Sequence, residues 1–474
     1  MGKYDYDLIV IGGGAGGFVS SKLAAGLGKK VAMIEKDRLG GECTLTGCVP
    51  SKTLIHTSQI AQEIRNAKKY GLTIDSTAHI NTDHVMAHVR SVVQKVYDGH
   101  PPEAFQKLGI DVLFGAPQFI DNQQIELNGK RLSAKNFIVS TGSSPLIPPI
   151  EGIDTIPFLT NQTVFDLERL PLSMIVLGGG PIGTELGSAF SLLGIDVSIV
   201  DQFERILNRE DGELVDILSS KLIEDGIKLI TGYTPLKLAS KDRKITLTIQ
   251  NSKNQTQEIK ADSLLIAIGR KANVEGLNLE SAGVEYTLKG IKTNHTLRTT
   301  APNIYACGDV VGPYQFSHVA EYQAIIATQN ALFPIKKRVD YQHAAWCTFT
   351  SPEIAHAGLT EREARETYGD KIKIFRYEYR NIDRGVTDVA DTGMSKFICD
   401  PRGNLIGAHI LGARAGDLIH EAQIAKSLGI PFYKLYSVIH IYPTFTDVVK
   451  HAAKLCYIDR LQNNPFLRLL RKLL

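Results

Sequence analysis

A short apolar strand that runs straight into a glycine fingerprint and then a helix occurs twice in this chain. The first copy is Leu8-Ile9-Val10-Ile11 followed by Gly12-Gly13-Gly14-Ala15-Gly16-Gly17. The second is Met174-Ile175-Val176-Leu177 followed by Gly178-Gly179-Gly180-Pro181-Ile182-Gly183. Apolar runs rich in β-branched residues read as buried parallel strands. Gly12, Gly14 and Gly17, and again Gly178, Gly180 and Gly183, hold the fingerprint positions. They allow a tight turn and a close backbone approach to a pyrophosphate, which then sits at the N-terminus of the next helix. In each unit the following strand, at 31–34 and 197–200, ends in an acid, Glu35 or Asp201. An acid about 20 residues beyond the glycines is the expected ribose ligand. The fold class that follows is α/β, with two Rossmann-like dinucleotide-binding domains. Asp201 favours the 2′-hydroxyl of NAD over the 2′-phosphate of NADP. Gln202 and Phe203 add no positive charge and Arg205 follows Glu204, so NADH is the expected nucleotide.

Just after the first unit comes Gly40-Gly41-Glu42-Cys43-Thr44-Leu45-Thr46-Gly47-Cys48-Val49-Pro50-Ser51-Lys52. The thiolate is the reactive form of cysteine, and a dithiol beside an electron-carrying cofactor can cycle with its disulfide. A zinc site would need two more ligands at suitable spacing, and no second cysteine pair exists. Two dinucleotide sites flanking a redox dithiol imply one flavin, FAD, one nicotinamide, NAD(H), and electrons passing between them and Cys43 and Cys48.

The 474 residues suggest about three domains, and the hydrophobic fraction of 43% suffices for large cores. A net charge of +3 gives no reason to expect nucleic acid. The other cysteines, Cys307, Cys347, Cys399 and Cys456, are scattered, against a secreted disulfide scaffold. Cys456 reads as a buried small residue. The N-terminus runs directly into a strand, leaving no room for a signal peptide, and no apolar run is long enough to span a bilayer. A cytoplasmic enzyme is expected. Helical patterns cover roughly 55–70 and 81–108. His84 and His88 lie one turn apart there, and with no third ligand in view they read as a surface face. No resident metal is expected.

These residues resemble the pyridine nucleotide–disulfide oxidoreductases, a family that includes dihydrolipoamide dehydrogenase, glutathione reductase and mercuric reductase. The Gly-Gly-x-Cys-x4-Cys-Val-Pro-Ser-Lys run at 40–52 is the most specific mark. Thr141 and Gly142 look like the exit from the FAD domain and 265–270, with Gly269, like the exit from the NAD domain. The run 304–309 resembles the second FAD motif, in which Asp309 binds the ribityl chain. The resemblance implies a discontinuous FAD domain at 1–148 and 271–340, an NAD domain at 149–270, and an α+β dimerisation domain at 341–474. It implies that Cys48 faces the flavin, that Cys43 meets the substrate, and that Lys52 and Glu185 form an ion pair beside the flavin. It also implies a homodimer whose active site is completed across the interface.

The chain departs from the disulfide-reducing members near its C-terminus. There a His-Pro-Thr-x-x-Glu motif supplies a base and its orienting acid from the partner subunit. This chain reads His440-Ile441-Tyr442-Pro443-Thr444-Phe445-Thr446-Asp447. Histidine exchanges a proton near neutrality, whereas tyrosine titrates near 10 and is a poor base. Either His440 substitutes, or the acceptor needs no proton shuttle, as metal ions and quinones do not; the second is favoured. Mercuric reductases also carry tyrosine near this place, but neither their C-terminal vicinal cysteine pair nor their N-terminal metal-binding domain is expected here. The expected function is an FAD-dependent NAD(P)H oxidoreductase passing electrons through Cys43–Cys48 to a metal ion, quinone or disulfide. Alternatives are a dihydrolipoamide dehydrogenase, a mercuric reductase-like enzyme, or a redox-responsive flavoprotein that binds at a membrane. The last draws on residues 464–474, where Phe466, Leu469, Leu470 and Leu473 share one helical face and Arg468, Arg471 and Lys472 the other, a pattern suited to an anionic membrane surface.

Overall fold

The computed structural model describes residues 4–73 and 80–464. The apolar run 8–11 lies in the strand Tyr6–Ile11, central in a parallel arrangement. Val31–Glu35 and then Ile110–Phe114 pair on one side, and Lys130–Val139 on the other. A strand from far along the chain, Ile304–Ala306, joins Lys130–Val139 in parallel. The first sheet is therefore finished only after the second nucleotide unit has been made. That unit has its own parallel sheet in the order Lys228–Thr231, Asp196–Asp201, Ser173–Leu177, Ser263–Ile266. The antiparallel strands Tyr233–Lys241, Lys244–Asn251 and Thr256–Ala261 share a core with it. The chain crosses between the sheets twice, and the crossing strands Ser143–Pro145 and Arg270–Ala272 pair with each other.

The C-terminal part is a five-stranded antiparallel sheet in the order Ala345–Thr348, Glu353–Gly358, Leu405–Gly412, Met394–Cys399, Lys373–Glu378. The helices Ala415–Ser427 and Asp447–Gln462 share its core. Another core knits the whole molecule. Leu54 and Met86 from the first part, Leu186 and Phe190 from the second, and Ile354 and Leu411 from the third are all buried together. Each such side chain contributes about 1.5–3 kcal/mol by leaving water.

The helices differ from the sequence pattern in two informative ways. The first begins at Cys48, runs to Asn66 and tightens into a 3₁₀ turn ending at Tyr70. Pro50 is accommodated because the first turn has no intrahelical N–H partner to lose. The second pattern breaks into Thr82–Asp98 and Pro102–Gln106, since residues preceding proline are pushed out of the helical region. His84 and His88 are exposed. Cys456 is buried, as read from sequence. No helix among the described residues is long and apolar enough to cross a membrane. The tail pattern, from 465 onward, lies outside the described residues.

Candidate active site

The two glycine loops are shaped by contact as well as by turning. Gly12 has φ +111°, and a Cβ on Gly17 would lie 1.8 Å from the Gly12 carbonyl oxygen. Gly178, with φ +110°, and Gly183 repeat the arrangement at 1.9 Å. The middle glycines face space instead. A Cβ on Gly180 would meet nothing within 4 Å, and one on Gly14 would meet only the Cα of Gly41, at 3.6 Å. The following helices, Ala15–Gly26 and Pro181–Leu192, have no side-chain cap and no acid in the first turn. Their leading N–H groups are thus left to an anion, whereas the helix Gly212–Glu224 is capped by Asp211. Both loops fit a dinucleotide pyrophosphate. Glu35 accepts from the Gly13 N–H at 2.7 Å and Asp201 from the Gly179 N–H at 2.6 Å. Asp201 also accepts from Phe203 N at 2.8 Å. Each carboxylate is thereby fixed at its strand end, beside the glycine loop.

Cys43 lies in the short helix Gly41–Leu45, and Cys48 is the first residue of the helix Cys48–Asn66. Both are free thiols, Cys43 half-buried and Cys48 exposed. The Cys43 thiol donates to the Cys48 sulfur. That hydrogen bond, followed by the charge of Lys52, draws the Cys48 thiol down to about 6. Cys43 moves up, because it is the donor and because it is partly buried. The helix N-terminus adds to the bias toward a Cys48 thiolate. Ser317 Oγ lies 3.8 Å from the Cys48 sulfur.

Lys52 stands one turn along from Cys48 and forms a 2.8 Å ion pair with Glu185. Its ammonium also lies 4.4 Å from the centre of the Phe349 ring. The other oxygen of Glu185 accepts from the Phe349 N–H at 2.8 Å. One buried carboxylate of the second nucleotide unit therefore binds both the dithiol helix and the C-terminal part.

A second polar cluster lies where the crossing strands meet. Asp309 Oδ2 accepts from Ser143 Oγ at 2.6 Å and lies 3.7 Å from Arg270 Nε. Arg270 donates to Ser143 Oγ at 2.7 Å and is paired with Glu42, which in turn accepts from Asn161. Thr141 Oγ1 donates to Asn273 O at 2.7 Å. Gly142 and Gly269 have φ of +73° and +142°, and the Gly269 carbonyl accepts from Leu146 N. Arg270, Glu42, Asn161 and Ser317 were not singled out in the sequence. Arg270 ends the run 265–270, but its partner is 228 positions away.

Each of the C-terminal candidates His440 and Tyr442 is held by a neighbour in the C-terminal part. Both ring nitrogens of His440 are engaged, Nδ1 with Val438 O at 2.8 Å and Nε2 with Glu421 Oε1 at 2.8 Å. The Tyr442 hydroxyl donates to Asp383, which pushes its acidity below that of an ordinary phenol. Asp447, at the start of its helix, is buried; its Oδ1 has no hydrogen-bond partner and lies 3.9 Å from the Lys450 ammonium. It stands at the position that the resemblance gives to the orienting acid, while Tyr442 precedes Pro443 where the resemblance has histidine.

Comparison with known proteins completes the picture. The family model described as pyridine nucleotide-disulphide oxidoreductase matches residues 6–324. The dimerisation domain of the same family matches residues 344–453. A mercuric reductase of Staphylococcus aureus is 35% identical over 451 residues, covering 95% of this chain and 82% of the relative. A dihydrolipoyl dehydrogenase of Bacillus subtilis is 31% identical over 451 residues, covering 94% and 97%. Among solved structures, the Cu(II) complex of the HOCl-induced flavoprotein disulfide reductase RclA of Escherichia coli superposes with a TM-score of 0.84. It has 26% identity, over 96% of this chain and 100% of that one. The chain thus belongs to the pyridine nucleotide-disulphide oxidoreductases and is an FAD-dependent NAD(P)H oxidoreductase with a redox disulfide.

Proposed function

We propose that this enzyme oxidises NADH and delivers the electrons from Cys43 and Cys48 to a thiophilic metal ion rather than to a disulfide. The observation that carries the reading is the state of the C-terminal motif. His440 has neither nitrogen free, Tyr442 is committed as a donor to Asp383, and Asp447 Oδ1 accepts no hydrogen bond. Reduction of a disulfide needs a proton for each departing thiolate. Reduction of a metal ion needs none: NADH and two Cu(II) give NAD⁺, H⁺ and two Cu(I). Soft thiolates are also the ligands that such ions prefer. The names of two relatives, a mercuric reductase and a flavoprotein solved with Cu(II), point the same way.

In this reading bound FAD supplies the two-electron relay between nicotinamide and dithiol. Cys48 is the resident thiolate, Cys43 presents the exchanging sulfur, and the Lys52–Glu185 pair sets the local charge. Gly12, Gly14, Gly17, Glu35, Thr141, Gly142 and Asp309 line the FAD site. Gly178, Gly180, Gly183, Asp201 and Gly269 line the NAD site. The enzyme is a cytoplasmic homodimer. Val438, Ile439, Ile441 and Tyr442 form an exposed strip, with Ile439 98% exposed, and such a patch marks an interface. The test compares FAD-loaded protein in two assays, NADH oxidation with Cu(II) and NAD⁺ reduction by dihydrolipoamide. Turnover with Cu(II), lost in the Cys43→Ser/Cys48→Ser variant, is expected. Faster turnover with dihydrolipoamide than with Cu(II) would refute the reading and favour a dihydrolipoamide dehydrogenase.

A further inference from the structure

Away from the dithiol, one row of side chains crosses the face of the C-terminal sheet. Trp346 is the register partner of His356, His356 of His409, and His409 of Lys396. Residues opposite one another in this way share a face. The segment 210–213 of the nucleotide domain packs onto this row. Lys396 is buried and pairs with Asp211, Glu213 and Glu361 at 2.7–2.8 Å. Its charge is fully used there.

Glu210 faces the two histidines, and all three are buried. His356 Nε2 lies 2.7 Å from the carbonyl of Gly358, and His409 Nε2 lies 2.9 Å from the carbonyl of Leu359. Carbonyls only accept, so both Nε2 atoms carry their protons. In the neutral rings both Nδ1 atoms then present bare lone pairs. That of His356 faces Glu210 Oε2 at 3.0 Å, acceptor against acceptor. That of His409 is buried with no partner at all. A proton placed on His356 resolves the first conflict and leaves the second. A cation bound by all three resolves both, and one ligand atom from each residue lies within 4.8 Å of the others.

We propose that Glu210, His356 and His409 form a binding site for a divalent transition-metal ion of borderline softness, with Zn²⁺ the representative case. Two imidazoles and a carboxylate are the donor set such ions take. The outer contacts that usually accompany it are in place. Each imidazole donates its other N–H to a backbone carbonyl, and the free carboxylate oxygen of Glu210 accepts from Trp346 Nε1 at 2.5 Å. No other group of three such residues at this spacing occurs among the described residues. The ion would tie the nucleotide domain, through Glu210, to the C-terminal sheet. It would be a structural clamp distinct from any metal reduced at the thiols.

The test uses FAD-loaded Cys43→Ser/Cys48→Ser protein, so that the redox thiols cannot bind the metal; the Glu210→Gln variant separates the proposed site from the remaining cysteines. It is expressed with added Zn²⁺, dialysed, and assayed for bound metal; chelator-stripped samples are titrated with Zn²⁺. One Zn²⁺ per chain is expected. Glu210→Gln and His409→Leu, made in the same background, should each weaken binding at least about 100-fold, since losing an outer contact alone costs 10–100-fold. Trp346 is the only tryptophan, and its ring stacks on His356 with centroids 3.9 Å apart. Cu²⁺ should therefore quench its fluorescence, and Glu210→Gln should remove the quenching. Glu210→Gln keeps the acceptor for Trp346 and carries the test if His409→Leu loses FAD. Absence of Zn²⁺ from the double-serine protein on both routes would overturn the proposal. So would binding that Glu210→Gln leaves unchanged.

Discussion

Replacing Lys52 with methionine isolates the charge that shares a helix with Cys48. The two residues lie one turn apart, where Cβ atoms are roughly 6 Å from each other. A unit charge at that distance contributes about 2.8 kcal/mol at an effective dielectric near 20, or about two pH units of thiol acidity. The Lys52 side chain is 37% exposed, so solvent screening reduces this to about one unit. The hydrogen bond from Cys43, the larger cause of the lowered Cys48 acidity constant, stays intact. The midpoint of Cys48 ionisation should therefore rise by about one unit and no further. The assay is the thiolate-to-flavin absorbance band of the FAD-loaded, two-electron-reduced protein, titrated with pH. The thiolate is present above the midpoint, so the band in Lys52→Met should persist only at higher pH than in the parent. Lys52→Arg keeps the cation and should titrate like the parent. Glu185→Gln removes an anion that opposes the thiolate and should move the midpoint down. A Lys52→Met midpoint within about 0.3 unit of the parent, or below it, would refute the electrostatic argument.

Three further outcomes follow from the same geometry. Tyr442→His, at an exposed position five residues before Asp447, whose Oδ1 accepts no hydrogen bond, should raise turnover with dihydrolipoamide by about 10²-fold, the lower range for a positioned acid–base group. Cu(II) reduction should barely change. Asp201→Ala should narrow the preference for NADH, measured as the ratio of kcat/KM for NADH to that for NADPH. An unaltered ratio would show that Asp201, held by Gly179 and Phe203 N–H, does not read the ribose. Arg270→Ala leaves Glu42 without its cation, with Asn161 as its remaining donor, and unties Ser143, so urea unfolding should report a loss of about 3 kcal/mol. FAD retention should fall with it.

The parts of this molecule legible in sequence are those whose chemistry is local. A strand, a glycine loop, a helix and an acid follow one another within about 25 residues, and that order fixes both nucleotide units. The dithiol is local too, lying within one turn-and-helix segment. Lys52 and Glu185 are 133 residues apart and were paired only by family resemblance. Contacts that depend on strand register across long separations left no trace. Glu210 and His356 are 146 residues apart, and nothing in either segment announces that His409 will lie directly opposite His356. Cys456 was correctly read as buried. Its neighbour Cys399, whose thiol hydrogen-bonds to it, became visible only once the helix Asp447–Gln462 was laid on the sheet. The helix break between Asp98 and Pro102 was readable from Gly99 and the two prolines, but the apolar period ran through it.

The carboxylate of Glu185 has a consequence for how the three parts communicate. It belongs to the nucleotide unit, yet it touches the dithiol helix through Lys52 and the C-terminal part through Phe349 N. If the nucleotide unit rocks away, Lys52 loses its counter-charge and its field falls on Cys48 undivided. Thiol acidity is then a gauge of how closely the domains are docked. Because such coupling is reciprocal, ionising Cys48 must bias the docking by the same free energy. A redox event at two sulfur atoms thereby acquires a lever on the unit whose glycine loop fits the next nicotinamide dinucleotide.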